Sequence, residues 1–161
     1  MKWLLGLILS FGSWGAFADA IPLPSCTINN QPVRYMSYKA EHLNAYDLQT
    51  WVAGSDVING QPVISYNSTY LSTRPKEWNL QVMAHECAHL KIHALPKRRP
   101  PANIKEYEAD CHSAEYLKSE HGYKDEEFDI IITTMQEILP PDRIHAFKNC
   151  IRRWHLFRFV L

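Results

Sequence analysis

Five consecutive residues, His85-Glu86-Cys87-Ala88-His89, carry the strongest chemical signal in the chain. On a helix, at ~100° and ~1.5 Å per residue, the two histidines fall ~40° apart on one face and about one turn apart in height. Both imidazoles can then reach a single ion, and imidazole is a ligand for zinc and related divalent metals. Glu86 falls on the flank of that face. It lies too far round to complete the ligand set but is placed to take a proton from a water at the metal. Cys87 projects almost opposite the histidines, which makes it a core or disulfide residue and a poor ligand.

A hydrolytic metal site keeps three protein ligands and one open position, so a third ligand is required. The candidates are His93, Glu106, Glu108, Asp110 and His112. His93 shares the face of the other two, but it stands ~12 Å along the axis from His85, too far for all three to close on one ion. Glu106 and Asp110 lie four apart on one face of the next helical segment. Glu106 can ligate while Asp110 bonds the outer nitrogen of a ligating histidine and fixes its tautomer. Glu108 projects ~200° from Glu106 and is expected in solvent. An acidic, solvent-facing patch is the usual setting of such a pair, and on spacing alone both readings stand.

These groups need elements to hold them. Asn59-Gly60, between Asp56-Val57-Ile58 and Val63-Ile64-Ser65-Tyr66, supplies the two positive φ angles of a tight turn and predicts a β-hairpin. Pro62 confines the second arm to an edge or to a strand start, and that arm is expected to run on through Asn67 to Leu71. Ser72-Thr73, with Pro75 in the first turn, opens a helix over 76–93 that Pro96 ends. Asn103 is expected to cap a third helix, ended by Gly122, and Asp125 a fourth with the stripe Phe128, Ile131, Ile132, Met135, Leu139. Pro140-Pro141 stops that helix and a last one starts near Asp142. A first helix is expected over 37–50, where Tyr38, Leu43, Tyr46 and Leu48 are scattered apolar positions. The fold class is α+β: a mainly helical domain with a small antiparallel sheet bordering a cleft.

Length and composition set the frame. The 161 residues suit one domain, and 46% apolar residues with a formal net charge of +0 favour neither disorder nor a nucleic-acid partner. Lys2 precedes an apolar run from Trp3 to Trp14, and Ala16-Phe17-Ala18 presents the small residues a signal peptidase reads. Residues 1–18 are therefore expected to be a signal peptide and 19–161 the mature domain, because the run is short of the ~20 residues that span a bilayer. Cys26, in Leu23-Pro24-Ser25-Cys26, lies beyond that run with a proline where small residues belong, so it is not read as a lipidation site. For an exported chain, periplasmic or secreted, Cys26, Cys87, Cys111 and Cys150 favour two disulfides. The pairing expected is Cys87 with Cys111 and Cys26 with Cys150, joining two central helices and then the termini.

The segment His85-Glu86-Cys87-Ala88-His89-Leu90, followed by Glu106-Tyr107-Glu108-Ala109-Asp110, resembles the gluzincin metallopeptidases. It is most like the HtpX and CaaX-prenyl-protease class, whose second motif is E-x-x-A-D. The similarity spans roughly 59–117, and the strand 62–66 ahead of the helix fits a strand that borders the cleft and pairs with an extended peptide. The resemblance implies one zinc held by His85, His89 and Glu106, with Glu86 as base and Asp110 orienting a ligand. The implied activity is hydrolysis of peptide bonds in a peptide or protein substrate. A weakly catalytic zinc-binding scaffold for extended peptides is the alternative. The class often carries a His-Pro and a following Arg that stabilise the oxyanion; here Leu139-Pro140-Pro141-Asp142-Arg143 lacks the His and leaves Arg143 as electrostatic partner. His145 reads as a surface histidine.

Two further features bear on partners. The tail 152–161 mixes arginines with aromatics, a composition that suits a membrane surface, although aromatics packed on the core with arginines outward is the preferred reading. Asn67-Ser68-Thr69 matches a glycosylation sequon.

Overall fold

The computed structural model describes residues 21–39, 51–93 and 101–157. The expected signal peptide, the segment 94–100 with Pro96 and the end of the tail lie outside them. Asn59 and Gly60 take φ of 51° and 80°, and they join β4 (Ala53–Ile58) to β5 (Gln61–Asn67) in the register Ile58↔Gln61 to Ala53↔Tyr66. Pro62 sits one residue into β5, where its missing N–H costs little. A second Asn-based turn, Asn29-Asn30 at φ of 50° and 64°, closes the short hairpin of β1 (Thr27–Ile28) and β2 (Gln31–Pro32), which the sequence reading did not anticipate.

The main sheet is mixed, not purely antiparallel. β3 (Arg34–Tyr38) pairs in parallel with β5, giving the order β3-β5-β4. Ser37 and Tyr38 thus end a strand where a helix was expected, and residues 40–50 of that expected helix lie outside the described residues. β5 is the central strand. Among the described residues, β4 is the edge strand beside the helices, so the strand that borders the cleft is 53–58 and not 62–66.

β5 ends at Asn67, whose side chain explains why. Its Oδ1 accepts from the Tyr70 N–H at 3.0 Å and its Nδ2 donates to the Trp51 carbonyl at 3.2 Å, capping the helical turn α1 (Ser68–Leu71). The expected strand through Leu71 therefore stops four residues early. Asn67 is 0% exposed, so the sequon is a structural cap in the folded chain.

α2 (Lys76–His93) is buried on almost every side, with Trp78, Leu80, Val82, Met83, Cys87 and Leu90 in the core. A helix buried on nearly every face, polar residues such as Asn79, Gln81, His85 and His89 included, lies in the middle of the fold, and α2 touches β4, β5, α3 (Ala102–His121) and α4 (Asp125–Ile138). α3 has Pro101 as its N-cap, two residues ahead of the expected cap Asn103. It ends at Gly122, whose φ of 64° lets the Tyr123 N–H reach the Leu117 carbonyl at 3.1 Å. α4 buries Phe128, Ile131 and Met135, and α5 (Pro141–Phe157) adds Ile144, Phe147 and Ile151 to the same core. The architecture is the expected α+β type, mainly helical.

The disulfides are Cys26–Cys87 and Cys111–Cys150, which corrects both expected pairs. The reason lies in helix phase. α2 meets α3 through the face of His85, and Cys87, ~200° from His85, lies on another side of α2, where the N-terminal arm brings Cys26 against it. Cys111 faces α5 instead. The loops closed span 61 and 39 residues, so each bond removes unfolded-state entropy worth about 4 kcal/mol. Two such bonds suit an oxidising compartment. Among the described residues, no helix is long and apolar enough to cross a membrane.

Candidate metal centre

His85, His89 and Glu106 converge. The Nε2 atoms of the histidines are 2.9 Å apart, Glu106 Oε2 is 3.4 Å from His85 Nε2, and Glu106 Oε1 is 3.2 Å from His89 Nε2. Ligand bonds of about 2.0–2.1 Å to a tetrahedral zinc place neighbouring ligand atoms about 3.3–3.4 Å apart. The two ring nitrogens and the two oxygens of the Glu106 carboxylate therefore lie close to the spacing such a ligand set needs, and the group can hold a metal ion. Both histidines are buried, while the Glu106 side chain keeps 41% of its surface.

Behind this face stands Asp110, 1% exposed, with Oδ1 at 2.8 Å from His85 Nδ1. It favours the proton on Nδ1 and so leaves Nε2 for a ligand bond. Glu108, expected in solvent, is half-buried on the same helix, and His112 is exposed and takes no part. His93 belongs to the last turn of α2.

The local field is strongly negative. Burial works against charge on His85, but the carboxylates of Asp110 and Glu106, aided by Glu86, outweigh it and carry its pKa up to about 9. Contacts from His85 and His89 hold the Glu106 carboxyl well below the usual carboxylate range; burial opposes them and Arg143 assists. Such a cage selects for cations.

Arg143, proposed from sequence as an electrostatic partner, enters the cluster. Its Nη2 is 2.8 Å from Glu106 Oε2, and its Nε and Nη2 reach Asp110 Oδ2 and Oδ1 at 3.1 and 3.3 Å. His145 is exposed, as expected.

Glu86 borders the same space. The Ser55 hydroxyl on β4 donates to Glu86 Oε2 at 2.8 Å, which fixes one carboxylate oxygen. Ser55 was not singled out from sequence; only the β4–β5 register brings it here, and no motif marks it. The open space in front of these residues is a cleft of about 490 Å³, apolar along Trp51, Trp78, Val82 and Leu139 and polar at His85, Glu86, His89, Glu106 and Arg143. Comparison with protein-family models, with curated protein sequences and with solved structures finds no match.

Proposed function

We propose that the chain is an exported zinc-dependent peptidase of gluzincin type, acting on extended or unfolded peptide segments. The observation that carries this reading is the position of Glu86. It lines the cleft beside the three candidate ligands and is held by a hydroxyl from an edge strand. Zinc bound by His85, His89 and Glu106 would supply Lewis acidity toward water and toward a peptide carbonyl.

The chain's own residues do the rest. Glu86, with one oxygen fixed by Ser55, accepts a proton from the attacking water and passes it to the leaving amine. Asp110 keeps His85 in the tautomer that can ligate. β4 offers backbone groups to a peptide lying along it, and the apolar half of the cleft excludes water from the flanking side chain.

The test is metal analysis combined with a cleavage assay. The mature protein is expected to carry about one zinc per chain. Glu86→Gln is expected to keep that zinc while cleavage of an unstructured protein falls about 10²- to 10⁴-fold. A chain without zinc, or a Glu86→Gln variant as active as the wild type, sinks the proposal. β4, the edge strand among the described residues, favours one second reading, a zinc-containing scaffold that binds extended peptides and cuts them slowly. Zinc at full occupancy with peptide binding but no cleavage would select it.

A further inference from the structure

Arg143 does more at this cluster than neutralise charge. Its Nη2 is within hydrogen-bond reach of Glu106 Oε2 at 2.8 Å and of His85 Nε2 at 3.2 Å, while its Nε holds Asp110 Oδ2 at 3.1 Å. A carboxylate oxygen has two lone pairs, so Glu106 can accept from Arg143 and still ligate. The same guanidinium nitrogen, however, stands within 3.2 Å of both atoms through which an ion would be held, so an entering ion meets a positive charge already in place. Three carboxylates, Glu86, Glu106 and Asp110, act on this spot, and the guanidinium is the cation the chain itself supplies to them.

We infer that Arg143 is a resident cation that must release His85 before a metal ion can bind, and that it thereby lowers metal affinity by direct competition. The inference rests on the metal-centre reading above. The side chain has room for the movement. Arg143 is the third residue of α5, its side chain keeps 27% of its surface, and it lines the cleft. Its Nε contact with Asp110 can persist as a pivot while Nη2 turns toward the cleft. A guanidinium can make such an exchange because its five N–H donors form a fixed fork spanning several acceptors at once.

The experiment titrates the stripped, mature full-length protein with Zn2+ against a chromogenic chelator at fixed pH, comparing the wild type with Arg143→Gln. Competition predicts that Arg143→Gln binds Zn2+ about tenfold more tightly, the scale of one charge-assisted hydrogen bond no longer to be broken. It also predicts that stripped Arg143→Gln melts below the stripped wild type and that Zn2+ closes the gap, because the ion replaces the missing cation. Equal or weaker Zn2+ binding by Arg143→Gln overturns the inference and makes Arg143 a prop for Glu106, while zinc uptake by the wild type leaves the metal centre standing. No uptake by either form overturns both. Should Arg143→Gln fail to fold, Arg143→Lys keeps a charged contact to Asp110 without the fork, and tightening of about threefold is then expected. No tightening with Lys overturns the inference equally.

Discussion

His85 and His89 stand on a helix buried on nearly every side, whereas Glu106 and Arg143 reach the same centre from helices that leave them 41% and 27% exposed. α2 is pinned by the core and by Cys26–Cys87 directly behind its metal face, with both cysteines 5% exposed. On the other side, α3 and α5 are joined by Cys111–Cys150, one residue past Asp110 and seven past Arg143, and a groove of about 320 Å³ opens beside that bond. The two sides teach different lessons about a metal centre. One presents ligands whose rotamers packing has already chosen; the other presents a carboxylate and a guanidinium that keep freedom to adjust.

The contrast can be broken by mutation. The largest effect is expected from His85→Ala, which should lose zinc on dialysis. Glu106→Ala should keep a weaker fraction, because a half-exposed ligand can be replaced by water; equal losses in metal analysis would erase the distinction. Asp110→Asn should weaken zinc binding about 10- to 100-fold, as expected of a group that orients a ligating histidine. Next comes the disulfide pair. Replacing Cys26 and Cys87 by Ser should lower stability by about 4 kcal/mol in denaturant titration and weaken zinc binding as α2 loosens. Replacing Cys111 and Cys150 should cost a similar amount of stability but leave His85 and His89 in place. Ser55→Ala should leave metal content unchanged and slow cleavage about tenfold, the scale of a hydrogen bond to a charged group.

The smallest effect at neutral pH concerns the tyrosines. Burial, then Tyr116, raises the pKa of Tyr35, whose hydroxyl donates to the Pro24 carbonyl at 2.7 Å. Burial, then Glu77 and Glu127, pushes Tyr123 up to about 12. A raised folded pKa contributes stability that is intact below the ordinary tyrosine value, about 10, and is lost as pH rises through the folded value. The tyrosine contribution to stability should therefore be constant below about pH 10 and be lost above it, read as a fall in melting temperature between about pH 10 and 12. Tyr35→Phe should shallow that fall, and an unchanged slope would remove Tyr35 as its cause.

Much of this centre was legible because helix geometry is local. Spacing within 85–89 and within 106–110 already places side chains on one face, and the absence of Gly and Pro between 76 and 93 makes the helix continuous. Asn59-Gly60 was legible for the same reason, since two positive φ angles are a demand on two residues alone. What failed depended on partners distant in sequence. Cys87 and Cys111 were paired on the assumption that neighbouring helices share a disulfide, but α2 turns its metal face to α3 and its cysteine away. Only Ser37 and Tyr38 of β3 fell within the helix expected over 37–50, and the rest of the strand went unassigned; Tyr35, Met36 and Tyr38 are all half-buried, so it lacks a clean alternation. Ser55 and the edge position of β4 follow from β3 pairing on the far side of β5, which no local pattern encodes.

Asn67 has a practical corollary for making this protein. Oligosaccharyl transfer acts on extended chains as they emerge, and Asn67 is accessible only until its side chain closes over α1 and Trp51. A sugar attached there could not be accommodated, so in a eukaryotic secretory host folding and glycan addition would race for the same nitrogen. The glycosylated fraction of the product would then measure how late β5 and α1 come together, with bacterial material as the unmodified reference.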